Sequence, residues 1–208
     1  MVSLKSPQLP ILLASSSVYR ARLLAQLGLD FIQASPNIDE SRKSGETPLA
    51  MVSRLSEEKA IALSKQYPSH LIIASDQVAI TQKNEILGKP HQHNAAVKQL
   101  MLMSGQKVDF LTGLCVLSPD VNNNGTWHKQ LIVEPYFVYF RDLTFSQVSD
   151  YVTKEKPLDC AGSFKSEGLG ISLFTKLEGD DPNALIVLPL IQLCSMLEKL
   201  DMSVLAKN

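Results

Sequence analysis

The stretch Leu71–Pro90, LIIASDQVAITQKNEILGKP, holds the residues best placed to do chemistry. Its opening run, Leu71-Ile72-Ile73-Ala74, is rich in β-branched residues and too short for a helix, so it reads as a buried strand. The run ends in Ser75-Asp76, which puts a carboxylate where the strand leaves the core, the place where open α/β sheets bind ligands. Val78-Ala79-Ile80, a polar Thr81–Asn84 and Glu85-Ile86-Leu87 then form a hairpin pattern. Folding about Gln82–Asn84 brings Asp76 opposite Lys89-Pro90. A lone Asp at a strand end is usually a turn residue. Facing a lysine, with Gly88 and Pro90 fixing the backbone, it becomes a candidate acid–base group.

A second site-like stretch lies near the start. Ile11–Ala14 reads as a strand, Ser15-Ser16-Ser17 as a tight turn, and Tyr19–Leu27 as a helix closed by Gly28. Strand, hydroxyls, helix N-terminus is an anion-binding order, because free N–H groups converge there. Arg20 in the first helical turn opposes the helix dipole unless an anion is present. Ser17 acting only as a helix cap is the simpler alternative. No G-x-x-x-x-G-K-[ST] occurs, so this is not a P-loop.

Thr47 caps and Pro48 starts a helix that runs to about Tyr67, where Pro68 stops it. Leu49, Met51, Val52, Leu55, Ala60, Ala62 and Leu63 form its apolar arc, and Lys59 falls near the middle. An ammonium there must snorkel out or find a partner. Asn37-Ile38-Asp39-Glu40 is an acidic loop before that helix. Asp159–Gly170, DCAGSFKSEGLG, adds Lys165 and Glu167, with Gly162, Gly168 and Gly170 allowing backbone to approach a ligand.

The set is thus Asp76 with Asp39 or Glu40 as acids, Arg20, Lys59 and Lys89 as cations, and Ser15–Ser17. It suits a phosphate chain bound through Mg²⁺ or Mn²⁺: cations meet phosphate oxygens and carboxylates meet the metal. Hydrolysis then needs a positioned water, a base and a stabilised leaving group. A phosphate-ester or nucleotide hydrolase is as far as these residues reach.

The elements that must position them are mixed α/β. Leu29–Ala34 is a weak strand, Asn94–Met103 a short helix ended by Ser104-Gly105, and Val108–Leu117 with Trp127–Phe140 a long hairpin across the turn-rich Pro119–Gly125. Thr144-x-x-Gln147 is a capping box opening a helix to about Lys154. Ile171–Leu177 reads as a strand, Glu178–Asn183 as a polar loop, and Leu190–Leu200 as a closing helix begun at Pro189. At 208 residues and 45% hydrophobic content, one core and a single domain over 1–208 are expected.

A net charge of −1 removes the electrostatic basis for nucleic-acid or membrane-surface binding. The scattered Cys115, Cys160 and Cys194 point to a reducing cytoplasm rather than a disulfide framework. No apolar run approaches the ~20 residues that span a bilayer, and MVSLKSPQLP has no signal-peptide h-region. His91-x-His93 lacks a third ligand nearby and reads as solvated rather than metal-binding.

Taken in order, LASSSVYR (13–20), Asp39-Glu40-Ser41, Glu58-Lys59-Ala60, Ser75-Asp76-Gln77-Val78, Gly88-Lys89-Pro90, Ser104-Gly105, Thr112-Gly113 and AGSFKSEG (161–168) resemble the Maf family of nucleotide pyrophosphatases. The likeness covers nearly the whole chain. It implies a mixed α/β fold related to inosine-triphosphate pyrophosphatases, with two lobes around a central cleft. It implies metal-dependent hydrolysis of a nucleoside triphosphate to monophosphate and pyrophosphate, a nucleotide as the small-molecule partner, and leaves a homodimer open. Carried over, Asp76 is the proton acceptor and, with Glu40, a metal ligand. Lys59 and Lys89 join it as catalytic groups, and Ser15, Arg20 and Lys165 bind substrate. Tyr19, Gln77 and Glu167 fall where base specificity is set and resemble the 7-methyl-GTP branch, as does Gly179–Asn183. Val18 stands for the usual Pro, Tyr19 for Trp, and Val187 for a Gly before Leu188-Pro189. A dTTP or UTP pyrophosphatase, or a non-catalytic nucleotide-binding regulator of cell division, are the alternatives.

Overall fold

Apolar β-branched runs build the centre of a mixed sheet, shown by a computed structural model that describes residues 9–120 and 125–205. Among these residues, β1 (Ile11–Ala14), β2 (Phe31–Ala34), β3 (Leu71–Thr81), β4 (Ile86–Leu87), β5 (Lys107–Pro119), β6 (Trp127–Phe140) and β7 (Phe174–Glu178) form one sheet. Its order is β2-β1-β3-β5-β6-β7, with β4 paired to β3. The β2-β1-β3 part is parallel and the rest antiparallel. Helices α1 (Val18–Ala25), α2 (Pro48–Ser64), α3 (His93–Met103), α4 (Phe145–Glu155), α5 (Pro182–Ile186) and α6 (Leu190–Glu198) pack around it. The expected mixed α/β architecture is present. No helix among the described residues is long and apolar enough to cross a membrane.

Local signals placed most helix ends. Thr47 caps α2 by accepting from the Ala50 N–H at 3.2 Å, with Pro48 behind it. The Thr144/Gln147 capping box forms with both of its hydrogen bonds.

Three expectations fail, each for a tertiary reason. β3 does not end at Ala74: it runs on through Ser75-Asp76 to Thr81, because β5 is long enough to pair with it from Ile72↔Leu117 to Thr81↔Val108. What ends at Ile73 is the pairing with β1. Asp76 therefore lies within a strand, just past the end of its parallel neighbour. Ile171–Leu177 is not one strand; a 3₁₀ turn over Leu169–Leu173 precedes β7, whose pairing with β6 begins at Phe140↔Phe174. The polar loop up to Asn183 is cut short by α5, which Asp181 caps by accepting from the Asn183 N–H at 3.1 Å. The β5–β6 connection pairs Pro119 with Trp127, and residues 121–124 of the expected turn lie outside the described residues.

The two larger apolar clusters occupy opposite ends of β3 and β5. One joins Ala79, Phe110, Val138, Val148, Phe164 and Phe174; the other joins Leu13, Ile73, Leu114, Leu188 and Leu193. Each fully buried Leu or Ile contributes roughly 1.5–3 kcal/mol. The expected cleft opens between these clusters, lined by Phe110 and Phe164 on one side and Ile186 and Val187 on the other.

One core carboxyl gives a pH-dependent expectation. Glu134 on β6 is buried and accepts from Gln192 Nε2 at 3.1 Å. Burial pushes its carboxyl above the ordinary range; the Gln192 hydrogen bond opposes this, while Asp181 and Asp180 add to it. A raised folded-state pKa gives stability that is present below the unfolded value and lost as pH rises through the folded one. Glu134→Gln keeps an acceptor for Gln192 and removes the charge. Thermal melts should show a gain of about 2–4 °C at pH 7, roughly 1 kcal/mol, fading towards pH of about 4. A variant that melts lower at pH 7 would contradict this account.

Candidate active site

The site begins with a missing side chain. A Cβ on Gly113 would lie 2.3 Å from Ser56 Oγ and 2.7 Å from the Val52 carbonyl, so α2 can sit this close to β5 only over glycine. Gly113 is the β5 partner of Asp76. Lys59, one helical turn beyond Ser56 on the same face, is thereby brought down onto that carboxylate. Its Nζ lies 2.6 Å from Asp76 Oδ1 and 3.0 Å from Glu40 Oε1. The Lys59 and Asp76 side chains are 7% and 11% exposed, so the lysine is paired within the arc rather than snorkelling out of it.

The β1–α1 turn supplies the next wall. Ser17 caps α1, accepting from the Arg20 N–H at 3.4 Å, and Ser15 Oγ accepts from the Ser17 N–H at 3.1 Å. Arg20 Nη1 donates to Ser15 Oγ at 3.3 Å, and its Nε to the Val187 carbonyl at 3.2 Å. Burial lowers the guanidinium pKa, and the fields of Asp76 and Glu40 oppose that, placing all three groups within electrostatic reach. The Val187 carbonyl also accepts from Ser75 Oγ at 2.9 Å. Val187 has φ 155°, a conformation suited to glycine, which is the residue the family resemblance leads one to expect there.

Gln77 follows Asp76 and so faces the opposite side of β3. Its Nε2 donates to the Ala184 carbonyl at 2.7 Å, Thr112 Oγ1 at 3.0 Å and the Leu185 carbonyl at 3.1 Å, which ties α5 to the sheet. The β3–β4 ladder pairs Ile80↔Ile86 and Ala79↔Leu87, so Pro90 lies past its end. Lys89 beside it is exposed, lines the cleft and, among the described residues, makes no hydrogen bond or ion pair.

The 159–170 loop closes the far end. The Tyr19 hydroxyl donates to Asp159 Oδ2 at 3.2 Å, with Cys160 Sγ 3.9 Å away. Burial first, then Cys160 and Asp159, push the phenol pKa up; burial and Asp159 push the Cys160 thiol up to about 12. Both groups are therefore neutral at physiological pH. Lys165 Nζ donates to the Glu155 carbonyl at 3.2 Å, and Glu167 is exposed. The loop glycines serve the loop's own packing more than an approach to ligand. Gly162 has φ 74° against the Phe110 ring, and a Cβ on Gly170 would meet the Lys165 carbonyl at 2.3 Å.

All ten candidate residues, Ser15, Tyr19, Arg20, Glu40, Lys59, Asp76, Gln77, Lys89, Lys165 and Glu167, line one cleft of about 590 Å³. Asp39 does not; it accepts from the Ser41 N–H at 2.9 Å, and Glu40 is the acid that reaches Lys59. His93 Nε2 is bonded with Thr153 Oγ1 at 3.2 Å, outside the cleft. Asp159 and the Val187 carbonyl were missed by sequence reasoning. The only signal for the first was its place at the head of the glycine loop, and for the second there was none.

Cations facing carboxylates in a cleft can hold a phosphorylated substrate and activate a water beside it. A family profile described as Maf-like protein matches residues 10–200. The chain is 54% identical to a 7-methyl-GTP pyrophosphatase of Alcanivorax borkumensis, over 90% of this chain and 92% of that one. It is 53% identical to a 7-methyl-GTP pyrophosphatase of Pseudomonas putida, over 92% and 96%. Among solved structures it is similar to the Staphylococcus aureus Ham1 protein, with TM-score 0.42, 16% identity, and 77% and 89% of the two chains covered. With the profile and the two pyrophosphatase relatives matched almost end to end, and the expected residues gathered in one cleft, the chain belongs to the Maf family.

Proposed function

We propose that this protein is a nucleoside triphosphate pyrophosphatase whose substrate is 7-methyl-GTP, cleaved between the α and β phosphates to the monophosphate and pyrophosphate. The observation that carries the reading is the buried Lys59–Asp76 pair, joined by Glu40, at the floor of a cleft lined with further cations. The names of the relatives support the nucleotide.

In this reading Asp76 is the general base. Lys59, 2.6 Å from Oδ1, fixes the carboxylate in place, leaving Oδ2 to take a proton from the attacking water. Ser15, Arg20 and the N-terminus of α1 take phosphate oxygens from one wall. Lys89 meets the phosphates from the other wall and Lys165 from the loop, where their charges offset those developing on the leaving pyrophosphate.

Glu40 and Asp76 converge on a single ammonium, and two carboxylates with the substrate's own oxygens are a set that fits Mg²⁺ or Mn²⁺. Among the described residues no cluster of three or more His, Cys, Asp or Glu forms an all-protein cage. When bound, the cation would neutralise phosphate charge.

At the base end, Tyr19 stacks on the cationic ring, and Glu167 accepts from the guanine N1–H and exocyclic amine. Gln77 acts at one remove, holding α5 and the Leu185–Val187 wall in place. The free cysteines fit a cytoplasmic location, and residues 1–208 act as a single catalytic domain.

A panel of triphosphates, assayed with and without Mg²⁺ or Mn²⁺, tests this directly. Pyrophosphate should be the primary product. 7-Methyl-GTP should exceed GTP by roughly tenfold in kcat/KM, the scale of a cation–π contact that only the charged ring makes. Orthophosphate as first product would overturn the cleavage site; faster turnover of dTTP or UTP would overturn the base assignment.

A further inference from the structure

One side chain bridges two of the loops that wall the cleft. Gln99, half-buried on α3, donates from Nε2 to the Gly88 carbonyl at 3.0 Å and accepts at Oε1 from Ser163 Oγ. Gly88 immediately precedes Lys89. Ser163 lies in the loop that goes on to Lys165 and Glu167.

The loop needs such an anchor. Ser163 is fully buried at φ 60° and follows Gly162 at φ 74°, so two successive residues hold left-handed conformations, the second at a cost to a non-glycine residue. A glutamine suits the position because one amide offers a donor to a carbonyl and an acceptor to a hydroxyl. Methionine offers neither, and an ionised glutamate offers only the acceptor.

We propose that Gln99 is a positioning residue that fixes the Lys89 loop against the 159–170 loop, coupling the phosphate end of the cleft to its base end. This rests on the nucleotide-hydrolase reading above but not on which base is preferred. The two hydrogen bonds have separable consequences. The bond to Gly88 sets where Lys89 stands, and so governs turnover whatever the base. The bond to Ser163 sets where the loop carrying Lys165 and Glu167 stands, and so governs discrimination between bases as well as turnover.

The experiment measures kcat, KM and melting temperature for Gln99→Glu, Gln99→Met and Ser163→Ala, on the best and second-best triphosphates of the wild type. Gln99→Glu should lower kcat on both substrates by about tenfold with their ratio kept, the scale of a small misplacement at a reacting centre. Ser163→Ala should narrow the kcat/KM ratio by roughly three- to tenfold, the change of ratio that Gln99→Glu does not produce. Gln99→Met should show both losses. If it fails to fold, the other two variants carry the test. Wild-type kcat and ratio in Gln99→Glu and Ser163→Ala would overturn the proposal, as would lowered melting temperatures with activity per folded molecule unchanged. A wild type preferring another base overturns the 7-methyl-GTP assignment alone, and one that hydrolyses no triphosphate overturns both.

Discussion

Asp76→Asn is expected to lower pyrophosphate release by about 10²–10⁴-fold, the usual scale of a general base, while the protein still folds and binds nucleotide. The amide is isosteric and its oxygen can still accept from Lys59 Nζ, now 2.6 Å from Oδ1. Lys59 also keeps Glu40 at 3.0 Å, so the substitution leaves no bare ammonium in the core. What disappears is the basic oxygen that takes the water's proton. Single-turnover rates, nucleotide titration calorimetry and a melting curve on the same preparation separate these effects. Turnover close to wild type would end the assignment of Asp76 as base.

Lys59→Met behaves differently because the pair is asymmetric. From the helix pattern alone, Met fills the apolar arc and stability should hold. The tertiary structure reverses that expectation: Asp76, 11% exposed at its side chain, would lose its 2.6 Å partner and keep Arg20 as the nearby cation. Removing one member of a buried pair costs about 3–5 kcal/mol, reduced here by the field of Arg20. The variant should melt lower by roughly 5–10 °C and lose at least about 10²-fold in turnover. The double variant Lys59→Met/Asp76→Asn should recover most of the melting temperature and none of the activity. That non-additivity is what a direct contact produces. Additive losses of stability would show that the two side chains do not act as a pair, and full activity in the single variant would remove Lys59 from the chemistry.

How much of this was legible in advance follows the range of the forces involved. Caps and turns act over three or four residues, so Thr47, Ser17 and the Thr144/Gln147 box could be placed from sequence. The hairpin about Gln82–Asn84 was equally local, and its Ala79↔Leu87 pairing turns the Gly88–Pro90 segment back along β3. The same locality misled at β3. A polar Ser75-Asp76 looks like a strand's end, yet the length of β5, some forty residues on, carries the strand through to Thr81. It also hid α5, a five-residue helix held by Gln77 and Thr112 from another layer.

By itself the sequence determined the chemical inventory: which side chains carry charge, which segments are strand or helix, and that Lys59 stands on an apolar face where it needs a partner. Only the tertiary structure decided who the partners are. Lys59 meets Asp76 and Glu40 because Gly113 lets α2 descend onto β5; Arg20 and Ser75 meet the Val187 carbonyl because α5 delivers it; Gln77 is turned away from Asp76 by the pleat. These contacts join residues up to 167 positions apart. No local preference specifies such pairings; they are fixed by how closely packed layers of helix and sheet can approach one another.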